Sequence, residues 1–101
     1  MELKFKQKFD LSGDTLLRKC GYAQFLDPNT EKFSYVRRMG QHFYPRFHCY
    51  INGEDPLVIS LHLDQKHVSY EGQRAHSGDY DSDLVKNELT RMANIISGLS
   101  V

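Results

Sequence analysis

Residues 44–64 read YPRFHCYINGEDPLVISLHLD, and this stretch decides the fold. Apolar and polar side chains alternate on both sides of residues 52–56, which read NGEDP. Alternation of this kind is typical of half-buried β-strands, and Asn, Gly, Asp and Pro are the residues that form turns. The stretch therefore predicts an antiparallel hairpin with strands at 44–51 and 57–64.

The two-residue period gives each strand of this hairpin a core face and an outer face. A pairing in which residue numbers sum to 108, with Ile51 opposite Leu57, brings the apolar side chains of both strands together. The predicted core face contains Phe47, Cys49, Ile51, Leu57, Ile59, Leu61 and Leu63. The predicted outer face gathers Arg46, His48, Tyr50, Val58, Ser60, His62 and Asp64.

Two helices are predicted outside the hairpin. Ser12 is a typical N-cap and Gly21 a typical helix stop, so a helix is expected at about 13–20. A longer helix begins after Asp81 or Ser82 and ends near residue 97. Its apolar stripe at helical spacing consists of Val85, Leu89, Met92, Ile96 and Leu99.

These elements predict an α+β fold, with an antiparallel sheet of about four strands and both helices on one face. The predicted order is β-α-β-β-β-α. The strands are expected at 2–9, 32–38, 44–51 and 57–64, and residues 22–26 can add a further short strand.

The length and composition bound the class of protein. The 101 residues suffice for one domain, with 40% apolar and 26% charged residues and a net charge of zero. Cys20 and Cys49 form no CxxC pair, which predicts two buried free thiols in a reducing compartment. No signal-peptide pattern and no apolar run long enough to span a bilayer are present, so we expect a cytoplasmic protein with no membrane partner.

The charge is uneven along the chain although its sum is zero. Residues 32–48 carry Lys32, Arg37, Arg38 and Arg46 with no acidic residue, whereas residues 71–90 are mainly acidic. A neutral total can therefore contain a basic face, and basic faces bind nucleic acids.

One candidate site lies on the outer face of the hairpin. His48, His62 and Asp64 would lie on neighbouring strands there, close enough to share a small ligand, a metal ion or a proton-transfer task. His76, from the segment 65–80, can join them as a further ligand-binding residue. The alternative is a solvated polar face, and the sequence contains no motif that predicts an organic cofactor.

A second candidate site follows the third predicted strand. His42 comes soon after Arg37 and Arg38, and a histidine beside arginines can act as a general acid or base on a phosphodiester. Phe43 and Tyr44 could stack on bases. The full predicted RNA-binding set is Arg37, Arg38, Phe43, Tyr44, Arg46 and His48. The alternative is a strand end with solvated charges.

About half of the chain carries a family resemblance. Residues 16–22 (LLRKCGY), then 40–42 (GQH), then 59–62 (ISLH) and a closing amphipathic helix resemble the HicA/YcfA-type messenger-RNA interferase toxins of toxin–antitoxin systems. The resemblance implies a fold similar to a double-stranded-RNA-binding domain. It also implies that His42 is the catalytic histidine and that the basic strand around Arg37 and Arg38 faces RNA.

Three functional hypotheses remain open from the sequence, and enzymatic activity is undecided among them. The leading one is RNA binding through residues 32–48 and an open sheet face, with hydrolysis by His42 as an extension. The second is a small-ligand or metal-binding domain that uses the histidines of the hairpin and the following loop. The third is a non-catalytic module that binds a protein partner at a strand edge.

Overall fold

The computed structural model describes residues 1–65 and 83–101, and it has the α+β architecture that the sequence predicts. The elements are β1 (Glu2–Lys4), α1 (Gly13–Lys19), β2 (Ala23–Leu26), β3 (Phe33–Arg38), β4 (Arg46–Glu54), β5 (Leu57–Asp64) and α2 (Asp83–Ser97). All strand pairs are antiparallel, and the order across the sheet is β1-β5-β4-β3-β2. The hairpin strands β4 and β5 therefore lie inside the sheet.

The sheet has five strands where about four were expected, because residues 23–26 form a true strand that pairs with β3. The first strand is shorter than the predicted range 2–9. Lys4 pairs with Val58, and the amide of Phe5 then donates to the carbonyl of Leu57, the first residue of β5. The strand ends there because its partner ends.

The predicted parity of the β4–β5 hairpin is correct, but the register is displaced. His48 lies opposite His62 and Ile51 opposite Ile59, so the paired numbers sum to 110 and not to 108. A displacement of two residues leaves every side chain on its predicted face. It also changes which side chains are direct neighbours, and it places the two histidines opposite each other.

A bulge interrupts the hairpin between Ile51 and Gly53, after which Glu54 lies opposite Leu57. The bulge turns the Glu54 side chain toward the helices, where its Oε1 accepts a hydrogen bond of 2.8 Å from the amide of Gly13. Ser12 caps the same helix end through Thr15, as predicted. Strand β4 thus holds the start of α1.

The core lies between the sheet and the two helices, which pack on one face. From the helices and the C-cap of α1 it takes Leu16, Leu17, Cys20, Val85, Leu89, Met92 and Ile96. From the sheet and its flanks it takes Phe5, Tyr22, Tyr35, Phe47, Cys49, Leu57, Ile59, Leu61 and Leu63. Both cysteines are free and buried, as the sequence predicts.

A buried carboxylate connects α2 to the rest of this core. Glu88 is 5% exposed, accepts a 2.6 Å hydrogen bond from the hydroxyl of Tyr22, and pairs with Arg91 and Arg37. Burial alone would raise the pKa of Glu88, but the hydrogen bonds from Arg91 and Tyr22 outweigh it and hold the pKa below its ordinary value.

Helix length also bears on membrane association. Neither helix in the two described ranges combines the length and the apolar character that a bilayer crossing requires.

Candidate functional site

The outer face of the sheet, opposite the helices, carries a cluster of polar side chains on three neighbouring strands. Ser34 lies on β3, His48 on β4, and His62 and Asp64 on β5. The register brings them together, because His48 is paired with His62 and Arg46 with Asp64. We refer to His48, His62 and Asp64 as the His–Asp cluster.

Asp64 joins the two histidines through both of its carboxylate oxygens. Its Oδ2 lies 2.8 Å from Nδ1 of His48, and its Oδ1 lies 3.0 Å from Nε2 of His62. On the other side of the His48 ring, Nε2 lies 2.6 Å from the hydroxyl of Ser34. Both nitrogens of His48 are therefore within hydrogen-bonding distance of a partner.

These contacts change the acidity of Asp64. Burial disfavours the charged carboxylate, and by itself it would raise the pKa of Asp64. The hydrogen bonds from His48 and His62 have the larger combined effect, and they hold the pKa of Asp64 well below its ordinary value. The carboxylate is therefore an anion at physiological pH.

The cluster is sheltered by aromatic rings. His48 stacks on Tyr50 with ring centroids 4.8 Å apart, Tyr50 stacks on His62 at 5.7 Å, and Phe25 meets the edge of His48 at 6.4 Å. His48 is 9% exposed and His62 is 8% exposed. Because these side chains have little contact with solvent, the electrostatic interactions between them are stronger than in water.

Ser34, His48 and Asp64 are connected in the order of a serine-hydrolase triad. The hydroxyl meets Nε2 and the carboxylate meets Nδ1 of one imidazole, as in that mechanism. Ser34, however, is only 2% exposed and lies inside a strand, not on the sharp turn that presents a nucleophile to substrate. The geometry therefore suits an orienting role for Ser34 better than nucleophilic attack.

The donor set of the His–Asp cluster also suits a divalent metal ion. One potential ligand atom from each residue lies within 4.8 Å of the other two. Bonds of about 2.0–2.1 Å around tetrahedral zinc place ligand atoms roughly 3.4 Å apart. The separations of 2.8 Å from His48 to Oδ2 of Asp64 and of 3.0 Å from His62 to Oδ1 involve different carboxylate oxygens, and both are about 0.4–0.6 Å shorter than this spacing.

Comparison with protein-family models, with curated proteins and with solved structures finds no significant match to this chain. The resemblance to the interferase toxins therefore stays a prediction.

The residues predicted to bind RNA are divided between the two faces of the sheet. Arg37 lies on the helix side, where its Nη1 is 3.6 Å from Oε2 of Glu88. Arg38 lies on the outer side, with its guanidinium carbon 5.0 Å from the ring centroid of Phe43. Arg46 is on the outer face with His48, as predicted.

The predicted catalytic residue, His42, lies apart from this cluster. It is exposed in the segment between β3 and β4, and no hydrogen bond or ion pair joins it to another residue in the described ranges. Its neighbour Phe43 is 45% exposed, and Tyr44 packs edge-on against Phe43. His76 and most of the predicted loop 65–80 lie outside the described residues.

Sequence reasoning placed His48, His62 and Asp64 on one face but missed Ser34 and Phe25. The available signal was the alternation of residues 32–38, in which Ser34, Val36 and Arg38 share one face. No pattern in the sequence indicated which face of β3 joins the outer face of the hairpin.

Proposed function

We propose that this domain binds a divalent transition-metal ion of the zinc type through His48, His62 and Asp64. The observation that carries the proposal is the convergence of two imidazoles and one ionised carboxylate, with ligand atoms within 4.8 Å of one another. Nitrogen and oxygen donors of this kind suit zinc, and three protein ligands leave a coordination position open.

Ser34 supports the proposal as a group that orients a ligand. When Nδ1 of His48 carries the proton, this nitrogen donates to Asp64, and the Ser34 hydroxyl donates to Nε2. When Nδ1 binds a metal, the proton moves to Nε2, and the same hydroxyl oxygen accepts from it. Histidine ligands usually donate their second ring N–H to such a partner, and a hydroxyl serves both states.

The direct test is metal titration of the purified chain without an affinity tag of histidines. We expect one Zn²⁺ or Co²⁺ per chain by calorimetry and elemental analysis. An ion at 100 times its Kd stabilises the folded state by about 2.7 kcal/mol. This should raise the Tm of a domain of this size by roughly 10 °C or more. A Tm that does not respond to metal or to chelator, with no bound ion, would refute the proposal.

Substitutions separate this site from adventitious binding. Asp64→Asn keeps the shape but removes the charged ligand, so we expect stoichiometric binding to be lost. Ser34→Ala should weaken binding about 10- to 100-fold, the usual effect of removing a partner of a metal-bound histidine. His42→Gln changes an exposed histidine outside the site and should bind as the unaltered chain does. Equal affinity in all three variants would show that the ion lies elsewhere.

RNA contact by the segment around residues 38–46 is the second candidate function. It is favoured by the exposed Phe43 ring beside two guanidinium groups, with Arg38 at 5.0 Å and Arg46 at 4.4 Å from the ring centroid. Titration with mixed-sequence RNA at low salt should detect binding that weakens as salt is added. Arg38→Met should bind the same RNA more weakly than the unaltered chain at each salt concentration. An absence of binding at low salt would eliminate this candidate.

Hydrolysis by His42 is the extension of the RNA hypothesis that the family resemblance implies. If His42 is the catalytic residue, His42→Ala will keep RNA affinity and lose cleavage of the same RNA.

Binding of a protein partner at a sheet edge stays a prediction for a non-catalytic module. In that case the partner would add a strand next to an edge strand of the sheet, and β2 is one of the two edge strands.

A further inference from the structure

The guanidinium of Arg46 lies beside the His–Asp cluster, and one of its donors has no hydrogen-bond acceptor among the described residues. Arg46 is 6% exposed, and its Nε is a buried nitrogen without a hydrogen-bond partner in the described part of the chain. Oδ2 of Asp64 lies 3.5 Å away, which is an ion-pair distance but long for a hydrogen bond. A buried donor on a charged group without an acceptor destabilises the fold, so its retention calls for an explanation.

Three aromatic rings fix the position of this guanidinium. Its central carbon lies 4.4 Å from the ring centroid of Phe43, 4.9 Å from that of Tyr44 and 5.1 Å from that of Phe25. Such rings attract a cation but do not replace an oxygen acceptor for its N–H groups. Arg46 therefore provides a positively charged hydrogen-bond donor in a fixed position at the edge of the proposed metal site.

With a divalent metal ion bound, the charges at this site would not balance. A divalent ion on His48, His62 and Asp64 would bring two positive charges next to that of Arg46, while Asp64 supplies one negative charge. Two positive charges would remain uncompensated among largely buried groups, and such charges require a partner. A doubly charged anion that reaches both the ion and Arg46 would balance them.

We propose that the metal-loaded site binds a tetrahedral dianion of the phosphate monoester or phosphonate class between the ion and Nε of Arg46. The inference rests on the proposed metal-binding function. One oxygen of the anion takes an open coordination position, and a second accepts a hydrogen bond from Nε, which has no acceptor among the described residues. Guanidinium groups recognise phosphate oxygens through such charge-assisted hydrogen bonds.

Calorimetric titration of Zn²⁺ into the full chain, with and without saturating methylphosphonate, tests this inference. We expect methylphosphonate to tighten Zn²⁺ binding at least tenfold, and by linkage Zn²⁺ to tighten methylphosphonate binding by the same factor. Arg46→Met should keep Zn²⁺ binding and lose the coupling. Arg18→Met is the matched control, because Arg18 lies on α1 at the opposite face of the sheet, where it pairs with Asp14, and the coupling in this variant should be unchanged.

The outcomes distinguish the two proposals. If the unaltered chain binds no Zn²⁺, the metal-binding proposal itself fails. If it binds Zn²⁺ with an affinity that methylphosphonate does not change, the oxyanion inference alone is overturned. Coupling in Arg46→Met equal to that in the unaltered chain would also overturn it. Should Arg46→Met fail to fold, Arg46→Lys keeps the charge but not the Nε donor, and we then expect reduced coupling.

Discussion

At the scale of single residues, Glu88 shows how a charge can be kept inside this small core. Its carboxylate accepts hydrogen bonds from Tyr22 and from both Nε and Nη2 of Arg91, at 2.6 to 2.9 Å. Arg91 in turn donates to the carbonyl of Cys20 at 2.6 Å, so the network joins α2 to the end of α1. A buried carboxylate is tolerated when its oxygens are satisfied in this way.

Glu88 should make the stability of the unaltered chain depend on pH, and replacing Glu88 should remove that contribution. The ordinary pKa of this carboxyl is 4.5 and the folded value is lower, so its ionised form stabilises the fold above that pH. The stabilisation is lost as the pH falls through the folded pKa. Glu88→Gln should therefore lower the free energy of unfolding by roughly 2–4 kcal/mol at pH 7. The difference should shrink below about pH 4.5.

Urea unfolding of both chains across this pH range measures the effect. Glu31→Gln, the same change at an exposed turn residue, should leave stability unchanged at every pH. A Glu88→Gln penalty that stays constant from pH 7 to pH 3 would contradict the assignment of the stabilisation to the ionised carboxylate.

Single residues also mark the limit of prediction from this sequence. His48, His62 and Asp64 were predicted to share a face because parity alone decides that. The network around Glu88 was not predicted, because Tyr22 is 66 residues away and only the packing of α2 brings its hydroxyl to the carboxylate, whereas Arg91 is a local neighbour at i,i+3. Helical periodicity identified the buried stripe of α2 but gave no reason to place a carboxylate in it.

At the scale of elements, the bulge in β4 decides how the hairpin and α1 are connected. With unbroken alternation from Ile51, Glu54 would point to the outer face. The extra residue restores it to the helix side, where it reaches the amide of Gly13. A helix of seven residues depends strongly on such a contact, because its first amides have no partners within the helix.

Removal of the Glu54 carboxylate should loosen α1 before it loosens the sheet. Glu54→Ala should reduce stability by about 1 kcal/mol, as loss of a helix cap does, and should increase hydrogen exchange selectively in α1. Glu54→Gln retains an acceptor oxygen and should restore most of the protection. Exchange that increases equally in α1 and β5 would mean that Glu54 supports the whole domain and not this helix end.

The same hairpin shows why its register could not be predicted. Alternation identified both strands and their faces, yet sums of 108 and 110 satisfy it equally. The choice depends on the turn. β4 extends to Glu54, and only Asp55 and Pro56 connect it to β5. The bulge between Ile51 and Gly53 adds one residue to β4 that has no partner on β5. A two-residue period contains no information on either point.

At the scale of the whole molecule, the two cysteines report on the integrity of the core. Cys49 is fully buried and Cys20 is 2% exposed. Burial, with a smaller contribution from Cys20 and Glu88, raises the pKa of Cys49 to about 12, and burial also raises the pKa of Cys20. Because the thiolate is the reactive form, both groups should be inert in the folded protein.

Thiol labelling therefore serves as a measure of global unfolding. At pH 8 we expect neither cysteine to react with a thiol-specific reagent over minutes in native buffer, and both to react at once in concentrated guanidinium. Cys49→Ser should leave one thiol that is equally protected. Rapid labelling of either cysteine in native buffer would show that the core opens locally at that position.

The order of strands also has a consequence for the time course of folding. β2, β3, β4 and β5 are joined as successive hairpins, whereas β1 pairs with β5 across more than 50 residues, as in Glu2 opposite Ser60. Local contacts form faster than distant ones, since closing a long loop costs more chain entropy. We therefore expect β1 to dock last. His48, His62 and Asp64 all belong to these successive hairpins, so the proposed metal site would be complete in a newly made chain before its first strand is in place.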